Sequence, residues 1–271
     1  MSRPLWMVNL IKWAFPFRSA FARLSRLPVL RTLVPLYLAR GDDLIYLPRD
    51  RVIAVSESLD SPESTVVPSE VVERFIEKAN YHWIMNSCLC RSAENCQNYP
   101  IELGCLFLGE AVLSINPKLG RLVSKAEALE HVQRCREAGL VHLIGRNRLD
   151  VLWLGVGPGD RLLTICNCCP CCCLWRILPD VAPGMSSSVH RMPGVKVTVS
   201  DRCVGCGTCT EGGCFVDAIH LRDGRASVDD ECRGCGRCVT VCPQQAIELT
   251  VSPDYSVDAL VERISASVDV S

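Results

Sequence analysis

Eight cysteines between residues 203 and 242 fall into two runs of nearly one spacing. These are C-x2-C-x2-C-x4-C at Cys203, Cys206, Cys209 and Cys214, and C-x2-C-x2-C-x3-C-P at Cys232, Cys235, Cys238, Cys242 and Pro243. The flanks repeat too. Val197-Thr198-Val199-Ser200-Asp201-Arg202-Cys203 aligns with Ala226-Ser227-Val228-Asp229-Asp230-Glu231-Cys232 at an offset of 29, and Ala218-Ile219-His220-Leu221 with Ala246-Ile247-Glu248-Leu249 at 28. Each half reads strand, cysteine loop, short helix, strand. Three cysteines at x2 spacing let one tight loop hold three corners of an iron–sulfur cube, while the fourth lies beyond that loop and serves the other cube. The spacing therefore predicts one [4Fe-4S] cluster on Cys203, Cys206, Cys209 and Cys242, and a second on Cys232, Cys235, Cys238 and Cys214. Gly205, Gly207, Gly234 and Gly236 supply the sharp turns and leave backbone amides free to approach sulfur. The alternative, two four-cysteine zinc sites, needs C-x2-C pairs separated by long loops and leaves the third cysteine of each triplet superfluous.

This stretch resembles bacterial-type ferredoxins with two [4Fe-4S] clusters. The resemblance implies a compact ferredoxin-like pseudo-twofold 2[4Fe-4S] domain that moves single electrons. Two departures stand out: Phe215 in place of proline follows Cys214, and the first run closes at x4 instead of x3. Neither removes a ligand, and both bear on the potential of the adjacent cluster. Such potentials span roughly −700 to +450 mV and depend on hydrogen bonds to sulfur, net charge and burial, so the spacing specifies the task and not the voltage.

The chain has 19 cysteines in 271 residues. It is long for a disulfide scaffold, has no leader with an uncharged core and small-residue cleavage site, and carries an odd number of thiols, so reduced, metal-bound cysteine in a reducing, cytoplasmic setting is expected. Beyond the eight tail ligands and Cys135, ten thiols fall in two groups: Cys88, Cys90, Cys96 and Cys105, then Cys166, Cys168, Cys169, Cys171, Cys172 and Cys173. Thiols at that density without metal would be prone to oxidation, which predicts at least one further metal centre. The expectation is an additional iron–sulfur cluster with ligands from both groups and with Arg91 and His142 near the anionic centre; zinc and redox-active thiol pairs are the alternatives. Adjacent cysteines on an extended segment point to opposite sides, so Cys168 and Cys169 do not readily share one small ion. Residues 88 to 173 also resemble a family of cysteine-rich ferredoxin proteins, through Cys88-Leu89-Cys90-Arg91 with Cys96, Gly139-Leu140-Val141-His142, and the run Cys166 to Cys173. That resemblance implies an anaerobic electron-transfer or reductase component, and no substrate.

The chain as a whole is expected to be α+β, with a cysteine-rich α/β region ahead of the ferredoxin-like domain. Nearly half the residues are apolar and the net charge is −1, which excludes wholesale disorder and gives no case for nucleic-acid binding. Residues 1–40 carry seven arginines and lysines and no acid. No uncharged apolar run there is long enough to span a bilayer. They read as a basic amphipathic arm in pieces broken at Pro16, Pro28 and Pro35. Either it lies peripherally on the inner face of a membrane, with Trp6, Trp13, Phe15 and Phe17 inserted and its arginines at the headgroups, or it packs on this protein or a partner.

Residues 41–180 form the cysteine-rich domain. It begins with one or two strands between Leu44 and Val55 and a surface loop at Ser61-Pro62-Glu63-Ser64. Ser69 caps a helix bearing Val72, Phe75, Ile76, Ala79 and Trp83, and Ser124 to Glu127 is a capping box for a helix ending at Gly139, on which Cys135 is a small buried apolar residue. Val151–Leu154 and Leu162–Ile165 read as a hairpin around Gly155 to Asp160. Residues 180–194 form a linker at the domain boundary, 195–251 the two-cluster domain and 252–271 a tail. His82, His131, His190 and His220 stand without a catalytic pattern, and no hydrolase triad, phosphate loop or flavin fingerprint emerges, so no catalytic residue is assigned. The expected function is electron transfer with redox partner proteins. A reductase with the central cluster as active site, and a zinc-stabilised interaction module, are the alternatives.

Overall fold

The computed structural model describes residues 3–50, 53–54, 68–252 and 255–271. The loop expected at 61–64 lies outside them. Twelve strands are present among the described residues: β1 Asp43–Tyr46, β2 Ile53–Ala54, β3 His82–Met85, β4 Leu106–Leu108, β5 Gly120–Val123, β6 Val141–Arg146, β7 Leu163–Cys168, β8 Val189–Arg191, β9 Val195–Val199, β10 Ile219–Arg222, β11 Arg225–Val228 and β12 Ile247–Val251. Seven of them form one sheet in the order β5-β3-β4-β7-β6-β1-β8, antiparallel except for the β1–β8 pair. Antiparallel ladders replace the α/β pattern expected for the cysteine-rich region, and the whole chain combines helices and sheets in the α+β manner.

The register explains the two faces of this sheet. Ile45, Ile144, Ile165, Leu106 and Ile84 stand opposite one another across five strands. All five are buried in one core with Val72, Phe75 and Ile76 of the helix Ser69–Lys78, Ala128 and Val132 of the helix Lys125–Glu137, and Leu260 and Ile264 of the helix Val257–Ser265. Side chains alternate along a strand, so Thr164, Cys166 and Cys168 of β7 turn to the other face, where Leu44, Tyr46 and Leu143 pack. This alternation, imposed by one apolar row, sets where the thiols go.

Several expectations are corrected. Residues 151–154 belong to a helix, Arg148–Leu154, because the Asn147 side chain caps it by accepting from the Leu149 amide at 3.1 Å, and the left-handed Gly155 ends it. The helix after Pro68 is capped by the Asp50 carboxylate, which accepts from the Ser69 amide at 3.0 Å, and it stops at Lys78, leaving Trp83 on β3. The segment 180–194 contains a helical turn, Pro183–Ser186, and the edge strand β8 paired with β1, so it is built into the sheet and is no linker. In the tail expected at 252–271, Val268 and Val270 are buried in the main core. The capping box at Ser124 and Glu127 is formed, and Gly139 follows that helix in a left-handed conformation.

Residues 5–38 form the helices Leu5–Ala14, Arg18–Leu24 and Leu30–Leu38, with a 3-10 turn at Phe15–Phe17. Pro35 sits inside the third helix instead of breaking it. Five of the seven basic side chains of residues 1–40 reach partners on the body. Arg18 pairs with Glu94, Arg23 with Asp180, Lys12 donates to Ser92 Oγ, and Arg3 and Arg26 donate to the carbonyls of Leu152 and Val181. Val8, Phe15 and Ala22 are buried, while Trp6, Trp13 and Phe17 are more than half exposed. The arm is thus tied to the body by charge and turns large apolar side chains outward. No helix among the described residues is long and apolar enough to cross a membrane.

Candidate metal centres

In the tail, β9 pairs with β12 and β10 with β11, so the two strand–loop–strand halves interlock. The backbone repeats at matching positions: φ is +68° and +81° at Gly205 and Gly207, and +65° and +77° at Gly234 and Gly236. Asp217 and Gln245, 28 residues apart, both take positive φ, at +51° and +49°. At Gly205 the turn admits only glycine, since a Cβ there would lie 2.1 Å from the Gly224 carbonyl oxygen. The fourth cysteines repeat as well: Ala218 N donates to Cys214 Sγ and Ala246 N to Cys242 Sγ, each at 3.3 Å. Ala226 N donates to Cys203 Sγ at 3.3 Å and Gly234 N to Cys232 Sγ at 3.4 Å. The Ala226 amide, with Gly205 N, holds the Cys203 thiol below its ordinary pKa, and the Thr208 hydroxyl does the same for Cys206. Burial pushes Cys235 up to about 12.

Two small pockets result. Cys203, Cys206, Cys209 and Cys242 line one, together with Ala226 and Pro243. Cys214, Cys232, Cys235 and Cys238 line the other, with Phe215 and Arg237. Residues 228–248 match the family of the 4Fe-4S binding domain. The chain contains an iron–sulfur, ferredoxin-like domain. The matched span supplies walls to both pockets, Cys242 and Pro243 to the first and Cys232, Cys235 and Cys238 to the second. No curated protein and no solved structure matches the chain.

The ten central thiols separate into two sets. Cys96, Cys169, Cys171 and Cys172 have sulfur atoms all within 4.8 Å of one another, with Cys171 Sγ 3.6 Å from both Cys96 Sγ and Cys172 Sγ. Both sequence groups contribute to this set, and Cys172 N donates to Cys169 Sγ at 3.4 Å. Burial alone would raise the Cys96 thiol, but the Asn98 amide and the thiols of Cys172 and Cys171 outweigh it and lower its pKa.

Cys88, Cys90, Cys105, Cys166, Cys168 and Cys173 line the far side of β7, around a cavity of about 520 Å³ roofed by Met7, Ile11 and Phe15 of the arm, and Cys169 of the first set reaches the wall of the same cavity. Cys105 Sγ lies 3.9 Å from Cys166 Sγ, and Cys168 contacts both Cys166 and Cys173. Hydrogen bonding from Cys90 pulls Cys88 down to about 6 against its burial, with Arg91 assisting, and Cys90 rises in consequence. Burial likewise raises Cys173. Ionising several such thiols together is costly unless a cation shares their charge, which is what metal ligation supplies.

Arg91 stands between the sets, fully buried. It donates to Asn167 O at 2.8 Å and to Leu103 O, and touches the Cys169 thiol. Burial works against its charge, and Cys88, Cys169 and Cys105 hold that charge in place. His142 departs from expectation: its Nδ1 meets Asn167 Oδ1 at 2.8 Å and the cavity it lines, with Arg49, Asp50 and Arg136, contains no thiol. Cys135 is buried beside Cys96, Cys169 and Cys172, with its sulfur 3.7 Å from His131 Nε2, and burial pushes it up to about 12.

Sequence reasoning missed the residues that join tail to centre. Arg237 donates to Tyr99 Oη at 2.6 Å and Gly139 O at 3.1 Å, and its guanidinium lies 5.6 Å from the Tyr99 ring centre and 5.9 Å from that of Phe215. Tyr46, wholly buried, packs on Phe215 at 5.3 Å, in one apolar cluster with Cys168, Cys173, Cys232 and Cys235. Only the 28-residue offset, which puts Phe215 where the second run has Pro243, hinted that Phe215 had a separate task. Missed also was Asp150, a buried carboxylate beside the cavity that accepts from Asn147, Trp153 and Thr164 at 2.6, 2.7 and 2.9 Å.

Proposed function

We propose that the chain is an electron-transfer protein of an anaerobic redox system. Its tail would hold two [4Fe-4S] clusters crosswise, one on Cys203, Cys206, Cys209 and Cys242 and one on Cys214, Cys232, Cys235 and Cys238, with a further iron–sulfur centre among the central thiols. The observation that carries this reading is the pairing of pockets with quartets: each pocket is lined by three cysteines of one run and the fourth of the other. Bound clusters would supply single-electron chemistry. The protein's part is to hold the sulfurs, tune them with amide donors at Ala218, Ala226, Gly234 and Ala246, and exclude water between the centres. Phe215 and Tyr46 give a packed route from Cys235 to Cys168, and Arg237 with Tyr99 gives another toward the Cys96 set.

The test is metal and acid-labile sulfide analysis of anaerobically purified full-length protein, combined with paired substitutions. Cys203→Ser with Cys242→Ser should remove about four irons with their sulfides, and so should Cys214→Ser with Cys232→Ser, each leaving the other cluster's spectrum intact. Zinc alone in the tail would overturn the reading. The electron donor and acceptor are redox partner proteins. The exposed Trp6, Trp13 and Phe17 suit a membrane interface on the cytoplasmic side, to be tested by flotation with anionic vesicles.

A reductase reading draws on one observation, the apolar cavity between the arm and seven of the central thiols. Under that reading a candidate substrate changes the spectrum of the central centre, whereas a relay merely titrates.

A further inference from the structure

The two central sets differ in how closely their sulfurs approach, and that difference bears on how many metal atoms each takes. A single tetrahedral ion with metal–sulfur bonds of about 2.3 Å holds its four sulfurs about 3.8 Å apart, the edge of the tetrahedron. In an iron–sulfur cube each thiolate binds a different iron, so the four cysteine sulfurs stand outside the cube and farther apart. Cys171 Sγ is 3.6 Å from Cys96 Sγ and from Cys172 Sγ, and all four sulfurs of that set lie within 4.8 Å of one another. Among the described residues no other group of three or more metal-ligating side chains meets that condition. The tail provides an internal standard: its quartets, which carry the spacing of cube ligands, stand around pockets without drawing together in this way.

The six thiols on the far side of β7 behave like the tail. They are spread around a cavity in pairwise contacts, such as Cys105 Sγ with Cys166 Sγ at 3.9 Å, and no three of them draw together as the Cys96 set does. The separation has a cause in the sheet. Ile165 faces the helical core, so Cys166 and Cys168 point away from it; past the strand end, Cys169 turns back toward Cys135 on the helix Lys125–Glu137. Arg91 lies between the sets, touching the Cys169 thiol of one and placing its charge near Cys88 and Cys105 of the other.

We infer that the central field holds two centres of different nuclearity, back to back across β7. A single tetrahedral metal ion, zinc or iron, is bound by Cys96, Cys169, Cys171 and Cys172. A separate iron–sulfur cluster is carried by thiols of the set Cys88, Cys90, Cys105, Cys166, Cys168 and Cys173. The second half of this inference rests on the electron-transfer reading above; the first half does not.

The experiment uses full-length protein made and kept without oxygen, with iron, zinc and labile sulfide measured per chain. Cys96→Ala with Cys171→Ala should lose one metal ion per chain and no sulfide. Cys105→Ala with Cys166→Ala should lose iron and sulfide together, about four of each for a cube. Loss of sulfide from the first variant, or no loss of metal from it, overturns the single-ion site. Loss of one ion without sulfide from the second overturns the separate cluster. X-ray absorption of the unsubstituted protein keeps the question answerable if a variant fails to fold. An ion with four sulfur neighbours at about 2.3 Å and no metal–metal scattering is expected, at the zinc edge if it is zinc or as isolated high-spin iron in Mössbauer spectra if it is iron. Absence of both signals overturns the site. About eight irons of tail clusters should remain in all three proteins, so a fault in the tail assignment would show as a low common background.

Discussion

The tail and the central field both gather thiols, by opposite means. In the tail, short glycine-bearing loops wrap each pocket, backbone amides donate to sulfur, and Cys206 is exposed. In the centre, the sulfurs sit at the buried end of a strand inside a seven-stranded sheet, and a buried guanidinium supplies the balancing charge. Each tail pocket takes three of its cysteines from one short loop and only the fourth from the other run. The central sites exist only once Cys88 to Cys105 and Cys166 to Cys173, separated by three strands and two helices, have been brought together by the sheet.

The largest effect that would break this comparison is at Arg91. Replacing it with methionine removes the charge that faces Cys88, Cys169 and Cys105 and leaves the carbonyls of Asn167 and Leu103 without their donor. A loss of about 3–5 kcal/mol of stability is expected, with depletion of central metal and an unchanged tail spectrum; thermal unfolding and metal analysis read both. Lysine should rescue little, because one ammonium on a flexible stem does not reproduce the planar fork.

Next is Asn167→Leu. The side chain accepts from His142 Nδ1 through Oδ1 at 2.8 Å, donates to Gly104 O through Nδ2 at 2.7 Å and orders the strand between the two thiol sets. Stability should fall by about 1–3 kcal/mol, again with the tail intact. The mirror-image experiment is Gly205→Ala, which forces a left-handed residue and a 2.1 Å approach to Gly224 O. Its strain of about 1–3 kcal/mol should cost the first tail cluster while the central metal stays, and equal loss from both regions would abolish the distinction drawn above.

Arg237→Gln sharpens the comparison from the seam between the regions. Metal content should not change, while electron exchange between tail and centre, followed by rapid-mixing spectroscopy, should slow several-fold. The smallest effect is a pH dependence. The Ser124 amide, then Arg121, hold Glu127 down to about 2 from an ordinary 4.5. A depressed acid favours the folded state while ionised, so its contribution is complete above about pH 4.5 and disappears as pH falls toward 2. Glu127→Gln should remove that slope from the acid-unfolding curve without touching any spectrum.

What could be read from residues alone follows the same division. The repeated turns and the capping box at Ser124 were legible because each is encoded within a few residues. The opposite directions of Cys168 and Cys169 were legible too, since alternation is a property of any extended chain. The partition of the other eight central thiols was not, because it depends on which face of β7 the row from Ile45 to Ile84 occupies. The helix Arg148–Leu154 was read as a strand because its apolar run is short, and the cap at Asn147 decides it. The inward turn of Arg3, Lys12, Arg18, Arg23 and Arg26 depends on partners at residues 92 to 181, beyond the reach of local pattern.

The helix Val257–Ser265 and the segment after it fill the core that the helix Ser69–Lys78 begins, and Val270 O accepts from the Asn80 amide at 3.1 Å. Every one of the nineteen thiols has therefore left the ribosome before the principal core can close. Translation order thus leaves an interval in which the clustered sulfurs precede the helix Val257–Ser265 that completes this core.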